Sequence, residues 1–404
     1  MSNAINDDIE EGEKNEPLNE EPGEVPRKKI LLYYILTVGA VILIVILVLV
    51  IAVQVGGSPS QDRKTNSFKL KYISDGISKI KLFDSQLIDS ISSMRIDGKN
   101  EKIIDEYTFT SKGEHEIEVF LKKELNGMEK LFKGCTNLTQ IDLSQIISKN
   151  VSNMAEMFYD CEKLTSVDFS GLDTSKVKNM SSLFNGCLGL QSVNLSNLDA
   201  SNLEFMDYMF LACMNLKTID FSNFKTSKVS SMRFMFDSCI SLQSLNLSSF
   251  NTSQVIDMSY MFSLVSSLKS LDLSSFDTKN TETMNSMFYG CFNLENVNLK
   301  SFDTSKVKSM ENMFYNCKSI TSLDLGNFVT DKVENMEEAF SMCKKLNYID
   351  IRQFNSNKLE NKKDMFKDIA ENGTIYFNSR TFEVVLFNNT NIENWDKHDI
   401  SKSL

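Results

Sequence analysis

The residues with the widest chemical range in this chain are its eight cysteines, and their spacing narrows that range. Cys135, Cys161, Cys187, Cys213, Cys239, Cys291, Cys317 and Cys343 form one column with a step of 26 residues, and Val265 fills the missing step. Zinc and redox sites want paired thiolates at C-x-x-C spacing, and no such pair occurs. An even cysteine count in an extracellular chain ordinarily suggests disulfides. Val265 divides the column into five and three, so pairing neighbours strands a thiol on each side. Bridging the gap would span two steps, roughly 10 Å for stacked strands, which exceeds disulfide reach. The valine also shows what the position accepts, a small buried hydrophobe, which a free cysteine resembles. The column reads as a structural ladder of buried thiols without metal; disulfides between some neighbours are the alternative.

The second set is acidic. Asp142, Asp168, Asn194, Asp220, Asn246, Asp272, Asn298, Asp324 and Asp350 share the same step, with Ser or Thr two residues to either side in most copies. Carboxylates spread this evenly do not converge into an acid–base pair. They suit a flat, hydrogen-bonding face for a protein or glycan partner, with Ca²⁺ as a conceivable bridge and no other cofactor. The alternative is a solvated strand ladder in which Asp and Asn alternate to relieve like-charge stacking. The pattern breaks late, at Asn296, Lys300, Gly326, Tyr348 and Arg352. The candidate ligand-binding residues are therefore Asp168, Asp220, Asp272 and Asp324 along the face, with Tyr348, Asp350 and Arg352 at its C-terminal end.

Catalysis finds little support. The two histidines, His115 and His398, have neither a triad nor a metal-site neighbourhood, and no Gly-rich phosphate loop occurs. No catalytic residue is assigned. A net charge of −11 argues against nucleic acid, which would want a basic face.

Both columns are positioned by one repeating unit. Methionines recur at 26-residue steps from Met128 through Met154 and Met180 to Met336, nine copies without insertion, each with phenylalanine four residues later. Self-similarity at a fixed period is the mark of a stacked repeat architecture. Met154, Met157, Phe158 and Cys161 fall at i, i+3, i+4 and i+7, which predicts a short helix. Val167 and Phe169 then follow a strand period, with Asp168 facing outward between them. Asp173, Thr174 and Ser175 favour a turn. One unit cannot bury so narrow a stripe, but stacked units can. The predicted fold is an α/β repeat solenoid of leucine-rich-repeat type, one parallel strand and one short helix per turn, roughly 40–45 Å long.

The unit M-x-x-M-F-x-x-C-x-x-L-x-x-L-D-L-S-x-F-D-T-S-x-V resembles the BspA-like leucine-rich repeat surface proteins of bacteria and of parasitic or anaerobic protists. The resemblance covers 128–361, continues through a degenerate tenth copy to 376, and is looser over 68–127. It implies a surface adhesin or recognition receptor contacting host cells, matrix proteins or other microbes. A structural coat or display rod without a specific ligand is the alternative.

The flanks complete the expected organisation. Residues 1–29 form an acidic tail too poor in apolar groups to order itself. The uncharged run 30–53 is long enough to span a bilayer, with Arg27, Lys28 and Lys29 before it. The positive-inside rule then puts the N-terminus in the cytoplasm and the repeats outside a plasma membrane, as a single-pass protein; a long cleaved signal peptide is the alternative. Residues 54–67 read as a stalk and 68–127 as an N-terminal β-rich cap containing an Asp97-Gly98 turn. Residues 362–404 read as a degenerate repeat and C-terminal cap, with closing strands at Thr374–Phe377 and Phe382–Phe387 and a packed Trp395. Asn372 and Asn388 are the candidate glycosylation acceptors.

Overall fold

The structure, a computed structural model, describes residues 64–379 and 392–402, which lie in one compact unit, Lys64–Leu404. The acidic tail, the 30–53 run, Phe382–Phe387 and Asn388 lie outside the described residues. Among the described residues no helix is long and apolar enough to cross a membrane.

The cap contributes β1 (Ser67–Asp75), β2 (Lys79–Lys81), β3 (Ile91–Ile96), β4 (Lys99–Glu101), β5 (Glu106–Thr108) and β6 (Lys112–Leu121). Asp97-Gly98 makes the β3–β4 hairpin, with φ of 50° and 76°. The repeats contribute β7 (Leu138–Asp142), β8 (Ser166–Asp168), β9 (Ser192–Asn194), β10 (Thr218–Asp220), β11 (Ser270–Asp272), β12 (Asn296–Asn298), β13 (Ser322–Asp324) and β14 (Tyr348–Asp350). Next come β15 (Thr374–Phe377) and β16 (Asp396–Asp399), both parallel to β14. The result is a β-solenoid of about ten turns.

The predicted helix is absent, and its residues form two consecutive tight turns. Alternate amides bond back three residues, Met157 to Met154, Tyr159 to Glu156 and Cys161 to Phe158, at 3.1–3.3 Å. The intervening amides of Met154, Glu156, Phe158 and Asp160 reach the carbonyls of Asn179, Ser181, Leu183 and Asn185 in the next turn at 2.7–3.0 Å. A helix would direct every amide within its own segment; here half of them join the stack. Glu156 and Asp160 are left-handed, at φ 57° and 56°, and the same two positions are left-handed in every copy. Two such turns satisfy the i, i+3, i+4, i+7 spacing as well as a helix does. Gly134, Gly186, Gly290 and Asn316 occupy the second left-handed position, a signal that the periodicity obscured.

This turn segment, more than the strand, holds the stack together. Parallel bridges run unbroken from Asn153 to Asn361, whereas the strand ladder falls into separate sheets. Inside, the ten phenylalanines from Phe132 to Phe366 stack face to face, with ring centroids 5.0–6.0 Å apart. The turn spacing sets that distance, so one aromatic column fills the core along its length.

The first turn would expose its carbonyls, and the cap satisfies them one by one. Gln86 Nε2, the Asp84 amide and Lys81 Nζ donate to the carbonyls of Glu129, Leu131 and Lys133, each at 2.7 Å. β1 pairs antiparallel with β6 on one side and β7 on the other, which joins cap and solenoid into one sheet. β1 crosses the expected boundary between stalk and cap at residues 67 and 68. It starts at Ser67, and Asn66 Oδ1 already accepts the Ile147 amide at 3.1 Å, so the folded unit begins before the expected end of the stalk.

Candidate ligand-binding face

The outward column of Asp and Asn has a structural task. Asp168 Oδ1 accepts the Ser170 amide at 2.8 Å, Asn194 that of Ser196 at 2.9 Å and Asp220 that of Ser222 at 2.9 Å. Asp272, Asp324 and Asp350 do the same for Ser274, Gly326 and Arg352 at 3.0, 3.4 and 3.2 Å. Each closes an Asx turn that swings the chain off the sheet. Asn serves this purpose as well as Asp, since only the side-chain oxygen is used. Alternation also helps directly: Asn298 Nδ2 donates to Asp272 Oδ1 at 2.9 Å across the ladder. The Ser222 hydroxyl and amide hold the Asp220 carboxyl below its ordinary range, and the Ser274 amide and hydroxyl do so for Asp272. Asp168, Asp220, Asp272 and Asp324 are exposed at two-turn intervals. Among the described residues no three His, Cys, Asp or Glu side chains converge as a metal-ion group.

The regular face gives way at Gly326. Earlier copies place Ser144 to Ser274 at this position, then Lys300, Gly326 and Arg352. Together with Asp324, Asn327, Tyr348 and Asp350 these last three line a shallow cavity of about 390 Å³. Gly326 makes the room: a Cβ there would lie 3.2 Å from Asp350 Oδ2 and 3.3 Å from Arg352 Nε. Arg352 uses that room to lie against Asp350, with Nε 2.9 Å from both carboxylate oxygens and its terminal amine on Oδ2. Asp350 is only 2% exposed, so the guanidinium compensates a carboxylate withdrawn from water. Arg352, expected as a free ligand contact, is thus partly committed within the protein, and Asp350, still in the outward column, is covered as its counter-ion.

Tyr348 is half-buried beside Tyr376 at 5.8 Å, and Tyr376 stacks on His398 at 4.7 Å. Burial first, then the Asp350 and Asp324 carboxylates, raise the Tyr348 hydroxyl above its usual value, so it stays a neutral donor. Tyr376 and His398 extend the Asp/Asn column into the cap. The sequence alone does not single them out, because the repeat pattern fades there, though Tyr376 sits 26 residues after Asp350. Lys300 and Gly326 were visible as breaks, but only the fold brings them beside Tyr348.

The thiol column is buried along its whole length, with all eight cysteines free. Asn372 is exposed just ahead of β15.

Among solved structures the chain is similar to a leucine-rich repeat protein from Bacteroides ovatus, 17% identical over 74% of this chain and 89% of that one, TM-score 0.25. It is also similar to the TLR13–ssRNA13 complex, 12% identical over 67% of this chain and 52% of that one, TM-score 0.21. No curated protein matches its sequence. A family model matches three overlapping stretches, 103–219, 206–323 and 291–403, which take in the whole solenoid and part of its N-terminal cap. The chain belongs to that family, described as Mycoplasma protein of unknown function, DUF285.

Proposed function

We propose that this chain is a non-catalytic surface recognition protein, anchored in the plasma membrane by residues 30–53 with its repeats outside. The contact surface is the C-terminal part of the sheet face, and the ligand is a protein or glycan on a host or neighbouring cell. One observation carries the reading. Within the repeats, a face otherwise built of similar Asx turns changes character where Lys300, Gly326, Tyr348 and Arg352 surround a recess. Lys300 and Tyr348 supply a cation, an aromatic face and a hydroxyl within a frame that Arg352 and Asp350 hold rigid.

The test is adhesion of cells displaying the full-length chain to host cells, matrix proteins and glycan arrays. Saturable binding that falls at least about tenfold in Lys300→Ala and Tyr348→Ala, each a lost hot-spot contact, and persists in Asp168→Asn is the expected result. Binding that tracks the Asp column and needs Ca²⁺ would move the site to the whole face. Absence of any specific binding would favour a display scaffold.

A further inference from the structure

The turn side of the solenoid, away from the sheet face, carries an apolar strip confined to its middle. Among the described residues six large hydrophobic side chains are strongly exposed, and four of them, Phe205, Met214, Ile240 and Ile256 at 42–48%, fall within one short stretch of turns. Beside them Tyr208, Phe234 and Tyr260 stack at 5.1 and 4.3 Å. All three occupy the left-handed position two residues after the methionine, at φ 54–59°. The other copies put Lys, Glu, Ser, Asn or Asp there. Bulky aromatics in the left-handed region are uncommon, and strain of this kind gathers where a surface has a task.

Counting turns from Met128, this strip centres on the fifth, and in the left-handed column the residues one and two turns from that centre match, while three turns out Glu156 stands against Asn312. In the left-handed column Phe234 is flanked by Tyr208 and Tyr260, then by Ser182 and Ser286. Four turns out stand Lys130 on one side and Glu338 on the other. In the column six residues further along each turn Ile240 is central, and three turns out stand Glu162 and Lys318, both exposed and without an ion-pair partner among the described residues. Glu338 likewise has none.

We propose that this face binds a second copy of the same chain, antiparallel, about a twofold axis through Phe234 and Ile240. Such an axis, lying in the interface across the solenoid, reverses the order of turns and keeps each column facing itself. Phe234 and Ile240 then meet their own copies, and Tyr208 meets Tyr260. Lys130, which already lies 3.1 Å from Glu129 and 3.6 Å from Glu156 in its own chain, adds Glu338 as a partner, and Glu162 meets Lys318. The apolar centre is ringed by complementary charge, and a parallel arrangement or a slip of one turn would lose those pairings. A like-charged pair in this register, Glu129 with Glu337, is neutralised within each chain by Lys130 at 3.1 Å and Lys363 at 3.7 Å. At the axis Arg233 lies over the rings of Tyr208 and Phe234 at 5.7 and 5.4 Å, and the Ser238 hydroxyl bonds Asp237 at 3.2 Å. This pairing is independent of the sheet-face recess and leaves it open.

Mild oxidation of the full-length chain in nanodiscs tests the geometry, because the eight native thiols are buried. Ile240→Cys, at an exposed position on the axis, should cross-link to a dimer on a non-reducing gel, whereas Glu162→Cys alone should not. Glu162→Cys mixed with Lys318→Cys should yield the mixed dimer. Glu162→Lys should lower the association constant by about tenfold, and Lys318→Glu in the same chain should restore it. Cross-linking of Ile240→Cys no faster than of Glu162→Cys alone, or a monomeric mass for the uncross-linked protein at micromolar concentration, would overturn the proposal.

Discussion

The thiol of Cys161 donates to the carbonyl of Phe132 at 3.1 Å, 29 residues back and one turn away. Cys187, Cys213, Cys239, Cys291, Cys317 and Cys343 repeat the bond to Phe158, Phe184, Phe210, Phe262, Phe288 and Phe314 at 3.0–3.1 Å or 3.2 Å. The cysteine column is therefore a weak hydrogen-bond ladder that ties each turn to the last. Burial pushes the thiols of Cys135, Cys161, Cys187, Cys213, Cys239, Cys291 and Cys317 up, Cys135 and Cys291 to about 12. These seven stay protonated at neutral pH and all eight thiols are buried, so none should react with a thiol reagent until the chain is denatured. Full labelling of the native protein within minutes would refute this. Cys187→Val, copying Val265, should cost about 0.5–1.5 kcal/mol by chemical denaturation, the worth of one bond.

The stacked phenylalanines predict a second, larger effect. Phe236 is fully buried between Phe210 and Phe262, at 5.9 and 5.8 Å. Phe236→Ala should destabilise by about 3–5 kcal/mol. Because each turn touches only its neighbours, the loss should appear as earlier unfolding of the central turns, visible as local hydrogen exchange. Uniform loss of protection along the whole solenoid would count against this.

The left-handed positions can be tested in both directions. A Cβ at Gly186, φ 75°, would lie 2.2 Å from Asp160 Oδ1, so Gly186→Val should destabilise by more than about 1–2 kcal/mol. Ala212 has φ 59° and nothing in its side chain requires alanine, so Ala212→Gly should gain up to about 1 kcal/mol. A helix at this segment would reverse the second result, since glycine weakens helices. Thermal melts of the two variants decide it.

His115 gives the cap a pH dependence. Its Nδ1 lies 2.7 Å from Asp97 Oδ2 and its Nε2 3.0 Å from the Ser111 carbonyl, both acceptors, so only the imidazolium satisfies both. Burial pulls the His115 pKa down, but the Asp97 bond and the Ser111 carbonyl outweigh it and the net shift is upward. Burial likewise raises Asp97, while the His115 bond and the Glu116 amide lower it further than that. The His115 contribution is thus complete below an unfolded value of about 6.5 and lost as pH rises through the higher folded one. The Asp97 contribution is complete above about 3.9 and lost as pH falls through its lower folded value. Cap stability should peak between those limits, and His115→Gln should abolish the loss on the alkaline side. Equal stability of the native protein at pH 6 and pH 8 would disprove the pairing.

At the recess, Arg352→Ala leaves Asp350 without its counter-ion in a site 2% exposed. It should cost about 1–3 kcal/mol, measured by urea denaturation. Lys300→Ala, at an exposed position, should leave stability within about 0.5 kcal/mol, so that its effect on binding is read cleanly.

The sequence by itself determined the period, the number of turns and which columns face inward, because every buried position is written many times over and the inward side chains share one chemistry. It also placed the thiol column and the outward Asp and Asn. Only the tertiary structure decided that Met154–Cys161 is a pair of turns, since turns and helix share one apolar spacing and the amides choose by reaching the neighbouring turn. Only it showed Asp168 and its counterparts closing turns, because an Asx bond leaves the same residue types as a binding face would. Arg352 belongs to Asp350 for a reason outside both residues: Gly326, one turn earlier, leaves the space in which the guanidinium lies. Contacts between turns are set by what stacks on what, and a column read singly does not contain that information.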